Sequence, residues 1–492
     1  MNMTTGCAET SGTLLPAPLI DAARLRAAGR HPAVPFRLTL ADGKELLVLR
    51  LLRVLPGKRI VGEAEFAGRR VLAKVFITAG SERHWLQERA GIEALRRTGM
   101  PTPEVLSAAV LAGGGQALIT VFHADAESLA AAWAGVNSRP VGDAAAVAVL
   151  SPALAMLARM HRAGLTQEDL HLGNFLRTGE GLLIIDGDSV KDFGRPLTAT
   201  DATANLGMLL AQLPAAWDTA RTSLLAIYKA ADGIGDLDDS ALQTAINRVR
   251  DWRLKDFLGK CVRDCTLFAV EQSTARFTAV LRKSAKRLAP LLTDPDRALE
   301  AGIRLKSGNT CTVVRVRLEG LELAEAVIKR YNLKNVGHAL SRLWRPSRAW
   351  HSWREAHRLQ LFGIATPTPL ALIEERLGPL RRRAWLITDY CPGDNLADHL
   401  AADCEPPAAE SSAIAALFAT LHRLRISHGD LKATNLLWHA GKVWLIDLDA
   451  CTQHRSEAAY RQAWRRDKAR LLRNWPEDSV LGHWFRANLP PA

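Results

Sequence analysis

Two sets of polar residues share a spacing that suits metal and phosphate chemistry. In each set an aspartate is followed after five residues by an asparagine, and twelve residues later a second aspartate ends an apolar, strand-like run. Carboxylate and amide oxygens, held at strand ends and tight turns, are ligands that Mg²⁺ accepts together with phosphate oxygens. The first aspartate of each set can then orient and deprotonate a hydroxyl group. The two sets are Asp169, Asn174 and Asp186, and Asp430, Asn435 and Asp447.

Each set has a lysine upstream, inside a short run of β-type residues. Lys74 lies in Val-Leu-Ala-Lys-Val-Phe, and Lys329 lies in Ala-Val-Ile-Lys-Arg-Tyr. A buried strand lysine that faces such a set from an opposite lobe could hold the phosphates of a nucleotide. A helical stretch follows each lysine and ends at Gly99 or Gly363, each three residues before a Thr-Pro pair.

This recurrence predicts a tandem duplication of one architecture. We place a leader at 1–32, a first unit at 33–295 and a second unit at 300–492. Short strands with glycine turns and one helix open each unit, and a mainly helical part interrupted by the Asp…Asn…Asp hairpin follows. The predicted fold class is therefore α+β. Each unit has a small β-sheet lobe with one helix and a mainly helical second lobe, which is short in the second unit.

Composition excludes several other classes of protein. Of 492 residues, 48% are hydrophobic and 23% are charged, which is ordinary for folded globular domains and excludes long disorder. The N-terminus lacks the features of a secretory signal, and we expect no membrane span because the alanine-rich stretch 144–160 is short and contains Pro152. Seven cysteines without a Cys-x-x-Cys pair exclude a disulfide framework. We therefore expect a cytoplasmic protein.

The charge is unevenly distributed along the chain. The net charge is +13, and residues 301–492 carry 28 basic and 19 acidic side chains, or +9 of that total. A basic half indicates an anionic partner, but no nucleic-acid-binding module is present, so we expect no nucleic acid. The segment 461–475 has six basic residues and one acid. It is either a helix that contacts anionic lipid or phosphorylated glycan, or an ordinary packed helix with a solvated arginine face.

The second set resembles the catalytic segment of the protein-kinase-like superfamily. Residues 428–435 read His-Gly-Asp-Leu-Lys-Ala-Thr-Asn, where those kinases have His-Arg-Asp-Leu-Lys-x-x-Asn. The resemblance implies that Asp430 is the catalytic base. It further implies that Asn435 and Asp447 bind Mg²⁺ and that Lys329 binds the nucleotide phosphates. In the first unit it implies the same four roles, in the same order, for Asp169, Asn174, Asp186 and Lys74.

The same resemblance implies further nucleotide-binding groups. An acidic residue in the helix after each lysine would pair with that lysine, and a lysine two residues after the second base would neutralise the transferred phosphate. The glycine loops before each lysine differ from the G-x-G-x-x-G of protein kinases but would cover the phosphates. These candidates are Glu88, Glu355, Lys432, Gly57, Gly62 and Gly308.

Among kinases, the chain most resembles the bacterial lipopolysaccharide core kinases that phosphorylate heptose or Kdo sugars. The resembling phrases include Gln-Glu-Asp-Leu-His-Leu-Gly-Asn-Phe-Leu at 167–176 and Gly-Ile-Ala-Thr-Pro-Thr-Pro-Leu-Ala at 363–371. No Ala-Pro-Glu follows either metal aspartate, and only 45 residues follow Asp447, which leaves little of a peptide-binding lobe. The resemblance implies ATP and Mg²⁺ as cofactors, lipopolysaccharide core glycolipid as the acceptor, and a cytoplasmic enzyme peripheral on the inner membrane.

Two other functions remain open from the sequence. One is a tandem pseudokinase that binds nucleotide or acidic glycan and serves as a scaffold, and the other is a Ser/Thr protein kinase. One of the two units could also be inactive. We expect structural roles for His161 and His422, which open the two catalytic segments, and for Asp201 and Asp467, which could anchor the catalytic loops from the following helix.

Overall fold

The computed structural model describes residues 17–308, 311–318, 324–332, 346–378 and 380–491. The chain divides into two compact units. The first extends to Leu213 and includes Trp217–Asn247, and the second contains Pro214–Ala216 and resumes at Arg248. Each unit is described in turn.

The first unit begins with a six-stranded antiparallel sheet in the order β1-β2-β3-β4-β6-β5. Lys74 lies on the inner strand β4, opposite Val61 of β3 and Leu118 of β6. The alternation in β4 turns Val71, Ala73 and Val75 into the core. The strands are β1 Phe36–Thr39, β2 Glu45–Leu55, β3 Arg59–Phe66, β4 Arg69–Phe76, β5 Val105–Val110 and β6 Gln116–Val121.

The segment before this sheet is part of the first unit. Helix α1 (Ala22–Ala27) is capped by Asp21, and its Ala22 and Leu25 are buried in the core of the sheet. Leu19 also forms a bridge with Arg37 of β1. The sequence predicts a leader at 1–32, but from residue 17 onward this segment packs on the first sheet. Residues 1–16 lie outside the described residues.

Helices form most of the remainder of the first unit. They are α2 Glu82–Arg97, α3 Leu129–Val136, α4 Ala144–Arg162, α5 Ala199–Leu210, α6 Arg221–Ala230 and α7 Asp239–Lys260. Two antiparallel pairs of short strands lie among them, β8 Leu165–Gln167 with β11 Val190–Asp192, and β9 Phe175–Thr178 with β10 Gly181–Ile184; β7 Glu127–Ser128 pairs with β9. The compact units divide within α7.

Helix α4 is longer and more apolar than the sequence count suggested. Among the described residues, its 19 residues are long and apolar enough to cross a membrane by length and composition, and half of the most apolar window is buried inside the protein. Its buried face includes Leu150, Leu154 and Leu157, and Asp143 caps its first turn. The core helix of a folded domain can have the same length, apolar composition and burial.

The second unit has a sheet in the order β12-β13-β17-β18-β16-β15-β14, with antiparallel neighbours. Lys329 lies on β16, opposite Val313 of β15 and Leu386 of β18. The strands are β12 Phe268–Gln272, β13 Arg276–Leu281, β14 Ile303–Ser307, β15 Cys311–Leu318, β16 Ala324–Tyr331, β17 Pro369–Leu377 and β18 Leu380–Asp389. Helices α8 Ala285–Thr293 and α9 Pro295–Ala301 link β13 to β14.

The strands β12 and β13 move the boundary between the units. The sequence placed residues up to 295 in the first unit, but β13 pairs along β17 from Arg276 to Val280 and so completes the second sheet. The hairpin has no counterpart in the repeated sequence. The first sheet ends at β5, whereas the second sheet continues past β17 with β13 and β12. The second unit therefore begins at Arg248 rather than at 300.

The helical part of the second unit is short. Its helices are α10 Arg348–Leu361, which precedes β17, and then α11 Leu396–His399, α12 Ala408–Arg423, α13 Glu457–Leu472 and α14 Val480–Asn488. Short strands connect them: β19 Asp394–Asn395, β20 Ile426–Ser427, β21 Leu436–His439, β22 Lys442–Leu445 and β23 Thr452–Gln453. A core of buried apolar residues from α12, α13 and α14 includes Phe418, Trp464 and Phe485.

Candidate functional site

In the second unit, hydrogen bonds to backbone carbonyl groups hold the catalytic segment (428–435) in place. Strand β20 leads into it, and a 3₁₀ turn at Ala433–Asn435 closes it. The Asn435 side-chain amide donates to the Asp430 carbonyl (2.9 Å), and the Ile446 N–H donates to the Asn435 carbonyl (3.0 Å). Since Asn435 donates through Nδ2, its Oδ1 is left as the oxygen that a cation could bind. The next residue, Asp447, adopts a left-handed conformation (φ 61°) where the strand ends.

The Lys329 ammonium group lies between two carboxylates. Its Nζ donates to Asp447 Oδ1 (2.5 Å) and to Asp449 Oδ1 (2.8 Å). Tyr331 and Ser352 donate hydroxyl hydrogen bonds to the same Asp449 oxygen, at 2.7 and 2.8 Å. The predicted pair of Lys329 and Asp447 therefore lies together, and Asp449 is a third member that the sequence analysis did not name.

The charges in this cluster shift the pKa values of its members. Burial opposes the charged form of Lys329, but the Asp449 and Asp447 carboxylates outweigh burial and raise the pKa of the ammonium group. Burial works to raise the pKa of Asp447, and the attraction of Lys329 exceeds it, so that pKa is lowered. The carboxylate and ammonium forms therefore stabilise each other at neutral pH.

Glu355 does not pair with Lys329, which corrects the sequence prediction. Its carboxylate accepts two hydrogen bonds from Arg358 (2.8 and 3.2 Å), and it is buried on α10. The residue that reaches the lysine cluster is Ser352, roughly 4.5 Å earlier along the helix axis. Ser352 is also eleven residues before Gly363, the distance that separates Glu88 from Gly99 in the first unit.

A cavity of about 460 Å³ opens from this cluster between the sheet and the helical part of the second unit. Its polar end contains Lys329, Asn435, Asp447 and Asp449. Lys306 of β14 also lines it and helps to lower the pKa of Asp447. Its apolar walls include Val313, Val327, Leu386 and Leu437. The end of β18 and the two residues after it also line the cavity, at Thr388, Asp389, Tyr390 and Cys391. An apolar slot with phosphate-binding and cation-binding groups at one end suits a nucleotide.

The Asp430 carboxylate is flanked by two basic side chains. Lys432 donates to Oδ2 (3.1 Å), and the Arg470 guanidinium lies 2.7 Å from Oδ1. Arg470 belongs to α13, the helix that follows the metal turn (447–449). This helix therefore contacts the proposed base, Asp430, directly. The sequence analysis named Lys432 for this place but not Arg470.

Asp467 anchors the catalytic loop, as the sequence analysis expected. Its Oδ2 accepts from the backbone N–H groups of His428 (2.6 Å) and Gly429 (3.0 Å). Gly429 has φ 78°, and a Cβ atom there would lie 2.5 Å from the Ala450 carbonyl oxygen. The close approach requires glycine at this position and fixes the loop against the chain that follows Asp449.

The first unit contains a related cluster with a different carboxylate arrangement. Lys74 pairs with Glu88 of α2 and with Asp186 (3.1 Å). Arg59 pairs with Asp188 (3.0 Å) and lies 3.7 Å from Glu88. Burial works to raise the pKa of Asp186, and Lys74 and Arg59 lower it further than burial raises it. Here the helix supplies the partner of the lysine, as predicted.

Helix α2 of the first unit packs tightly on the metal turn of that unit (186–188). A Cβ atom on Gly91 would lie 1.9 Å from the Gly187 carbonyl oxygen, and the Gly187 N–H donates to Glu88 (3.0 Å). Ligand oxygens of Glu88, Asp186 and Asp188 all lie within 4.8 Å of one another, and among the described residues they form a group that could hold a cation. The donor set is of the oxygen type that Mg²⁺ accepts.

The catalytic segment of the first unit differs in its surroundings. Asn174 donates to the Asp169 carbonyl (3.0 Å), as in the second unit, and Asp169 is exposed. The loop is anchored by Asn205, whose amide donates to the Gln167 carbonyl (2.9 Å). Asp201 instead accepts from Thr198 at the start of α5, so the predicted anchoring role of Asp201 is wrong.

The predicted phosphate-covering glycines lie in or beside strand turns. Gly57 has φ 66° in the turn between β2 and β3, and Thr78 donates to its carbonyl (2.7 Å). Gly62 lies within β3, where a Cβ atom would be 2.8 Å from the Arg50 carbonyl oxygen. Gly308 follows β14 and donates to the Cys311 carbonyl (3.1 Å), and the two residues after it lie outside the described residues.

His161 has the structural role that the sequence analysis expected. It is fully buried, and its ring nitrogens contact the Tyr228 hydroxyl (2.8 Å) and Asn205 Oδ1 (3.2 Å). Burial lowers the pKa of His161 to about 4, and the bond to Asn205 only partly opposes that effect. The imidazole is therefore neutral in the folded state at neutral pH and braces the residue that anchors the catalytic loop.

This histidine predicts a pH dependence of stability. In the unfolded chain its pKa is about 6.5, so between pH 6.5 and 4 the unfolded state binds more protons and stability falls as the pH falls. At pH 5 the loss is about 2 kcal/mol relative to pH 7. We expect His161→Gln to reduce the difference in unfolding free energy between pH 7 and pH 5 by about that amount, as measured by denaturant titration. An unchanged difference in the variant would contradict the prediction.

Spacing in the sequence marks three of the four residues that the sequence analysis missed. Asp449 stands two residues after Asp447, and Asp188 stands two residues after Asp186, so the repeat itself marked a second carboxylate. Counting eleven residues back from Gly363 would have selected Ser352. Arg470 carried no such signal, because contact with Asp430 depends on how α13 packs.

A protein-family model matches part of the chain. Residues 315–482 match the model of the lipopolysaccharide kinase (Kdo/WaaP) family. This region covers about a third of the chain and contains the lysine cluster and catalytic segment of the second unit. The match identifies the region as a kinase domain, and the chain as a phosphotransferase. No curated protein sequence matches the chain.

Solved structures of kinases resemble parts of the chain. WaaP in complex with acyl carrier protein is 19% identical, with a TM-score of 0.33, and the match covers 41% of this chain and 88% of that one. Vaccinia related kinase 3 is 10% identical, with a TM-score of 0.30 and coverage of 46% and 88%. The Mycobacterium tuberculosis PknI kinase domain is 16% identical, with a TM-score of 0.30 and coverage of 45% and 99%.

Proposed function

We propose that the second unit, which carries the match to the lipopolysaccharide kinase family, transfers the γ-phosphoryl group of ATP to a sugar hydroxyl of the lipopolysaccharide inner core, on heptose or Kdo. The observation that carries the proposal is the contact of Lys329 with Asp447 at the polar end of a 460 Å³ cavity. Asn435 lies at the same end and brings an amide oxygen to it. Lysine, carboxylate and amide in one cavity are the groups that phosphoryl transfer requires.

The cavity can accommodate each part of ATP. The adenine would lie between the apolar walls near the backbone of Thr388–Cys391, and the phosphates would lie near Lys329 and Lys306. Asn435 and Asp447 would hold Mg²⁺, because both line this cavity and both carry oxygen atoms of the kind that Mg²⁺ accepts. When bound, the metal ion neutralises charge on the phosphates.

Asp430 would act as the base that orients the acceptor hydroxyl and accepts its proton. Its carboxylate is partly exposed beside the catalytic loop, and Lys432 next to it can neutralise the charge of the transferred group. Catalysis would then consist of positioning and charge stabilisation, with no covalent enzyme intermediate. The acceptor oxygen attacks the γ-phosphorus, the bond to the β-phosphate oxygen breaks, and ADP leaves.

We further propose that the chain is a tandem duplication in which the first unit is also kinase-like. Lys74, Glu88 and Asp186 reproduce the lysine, helix carboxylate and metal aspartate of a nucleotide site. Gln167 replaces the histidine that precedes the base in the second unit, and Asp169 has neither a lysine nor an arginine beside it among the contacts of the described residues. These differences favour the second unit as the one that turns over.

The test is transfer of labelled γ-phosphate from ATP–Mg²⁺ to purified lipopolysaccharide core precursors. Label on the glycan that is lost in Asp430→Ala and kept in Asp169→Ala would support transfer by the second unit. Label on no glycan, with nucleotide still bound, would contradict the proposal and favour a scaffold. Label on polypeptide substrates but not on glycan would favour a protein kinase.

A cytoplasmic location at the inner membrane belongs to the same proposal, because ATP is cytoplasmic and the acceptor is a glycolipid. Sedimentation with vesicles that contain core glycolipid would test it. Absence of binding both with and without the glycolipid would contradict a peripheral location.

A further inference from the structure

A second cavity of the second unit lies beside the proposed base rather than beside the nucleotide site. It has a volume of about 840 Å³ and lies between the catalytic loop and helix α13. Gly429, which directly precedes Asp430, forms part of its wall, and Ala450, which follows the metal turn, forms another. A molecule in this cavity would therefore lie next to the group that activates the acceptor hydroxyl.

The helical wall of this cavity is basic. Arg466 and Arg470 of α13 and Arg473, which caps the end of this helix, line it from one face, spaced four and three residues apart. Arg470 is already paired with Asp430. Arg466 and Arg473 are exposed, and within the described ranges neither has a hydrogen bond or ion pair with an acidic side chain. Each stands about one helical turn, or roughly 5–6 Å, from Arg470.

The arginines distinguish the second unit from the first. Asp467 and Asn205 occupy matching places, since each holds the backbone of the residue two before the proposed base. Counting from these anchors, the three arginines correspond to Ala204 and Met208 of α5 and to Ala211, which caps the end of that helix. The basic wall is thus absent from the matching helix of the first unit, whereas both units keep the lysine and metal aspartate.

We propose that this cavity is the acceptor subsite, in which Arg466 and Arg473 bind a carboxylate or phosphate group on the sugar that receives the phosphoryl group. The inference rests on the proposed function and adds to it the requirement for an anionic acceptor. Planar guanidinium groups bind such oxyanions in pairs of hydrogen bonds, and a recessed site strengthens them. The wall of this concavity includes Gly429, next to the base, and Arg470, which contacts the base. A glycan substituent therefore fits the arginines better than a flat lipid surface does.

The test compares one acceptor in three forms: native core oligosaccharide, the same oligosaccharide with its carboxyl groups reduced to alcohols, and the same oligosaccharide treated with phosphatase. Removing the group that is recognised should lower kcat/KM of the wild type roughly 10- to 100-fold, the effect of losing one or two charge-assisted hydrogen bonds. The form that loses activity distinguishes a carboxylate from a phosphate. The double variant Arg466→Gln/Arg473→Gln should lose activity with the native acceptor by a similar factor and no longer distinguish the forms.

Arg465→Gln provides the matched control, because Arg465 is exposed on the same helix and does not line the cavity. It should keep wild-type kinetics, and KM for ATP should stay constant in all variants. Equal kcat/KM for all three acceptor forms would overturn the subsite and leave the proposed kinase function intact.

Calorimetric binding of the native and anion-free oligosaccharides gives a readout that does not depend on turnover. If no acceptor is phosphorylated, preferential binding of the native form that disappears in the double variant would still support the subsite. Equal binding of both forms would overturn it. Loss of binding to anionic phospholipid vesicles in the double variant, with unchanged discrimination among the acceptors, would identify the arginines as a membrane contact and overturn the proposal.

Discussion

Asp430→Asn is expected to lower phosphoryl transfer to the acceptor by roughly 10²- to 10⁴-fold, the contribution of a positioned general base. The amide preserves the shape of the side chain but cannot accept the proton of the hydroxyl group. It also leaves Lys432 and Arg470, which now lie 3.1 and 2.7 Å from the carboxylate oxygens, without a charged partner. The measurement is steady-state transfer of labelled phosphate to the glycan.

The affinity for ATP separates this effect from misfolding. The lysine cluster does not include Asp430, so we expect the variant to bind ATP with unchanged affinity. Asp169→Asn is the matched variant in the first unit, where the equivalent aspartate is exposed. If Asp430→Asn keeps full activity while Asp169→Asn loses it, the first unit is the working half and the assignment of the base is wrong.

The repeated spacings predicted most of the candidate site. Local chain geometry fixes the five residues from aspartate to asparagine and the twelve to the next aspartate, since a 3₁₀ turn and one short hairpin connect them. The lysines were equally visible, because a charged residue in the middle of a buried strand needs a charged partner. In both units the lysine contacts the second aspartate, and the asparagine amide donates to the carbonyl of the first aspartate.

Long-range packing was not visible in the same way. The hairpin of β12 and β13 belongs to the second sheet because β13 pairs with β17, about a hundred residues later, and nothing in its own sequence indicates that partner. Arg470 reaches Asp430 only through the packing of α13. Residues 17–32 looked like a leader because they lack a repeated counterpart, although Leu25 is buried in the first core.

The assignment of Glu355 was wrong for a different reason. It relies on residue type, since a glutamate is expected in the helix after the lysine. Glu355 lies eight residues before Gly363, whereas Glu88 lies eleven residues before Gly99. The geometry shows that position matters more than type. In the second unit the helix brings a serine to the lysine, and the carboxylate comes from Asp449 on the metal turn.

Asp449 is thus expected to do in the second unit what Glu88 does in the first. Asp449→Ala removes one of the two carboxylates that hold Lys329, and it leaves the hydroxyl groups of Tyr331 and Ser352 without the Asp449 oxygen as their acceptor. We expect kcat/KM for ATP to fall roughly 10- to 100-fold, as is typical when a group that orients a ligand-binding side chain is removed. The KM for the glycan acceptor should stay unchanged.

A double variant tests whether Lys329 needs only a carboxylate partner or needs that carboxylate to come from the metal turn. Ser352 Oγ lies 2.8 Å from Asp449 Oδ1, so a glutamate at 352 could place its carboxylate close to the space that Asp449 leaves. The double variant Ser352→Glu/Asp449→Ala should therefore recover much of the lost kcat/KM for ATP, because it recreates the helix-borne partner seen for Lys74.

Glu355→Gln is the control. The Glu355 carboxylate pairs with Arg358, so the KM of this variant for ATP should match the wild type. If Glu355→Gln impairs ATP use while Asp449→Ala does not, the partner of Lys329 during turnover is the helix glutamate after all, and the lysine must change partners when nucleotide binds.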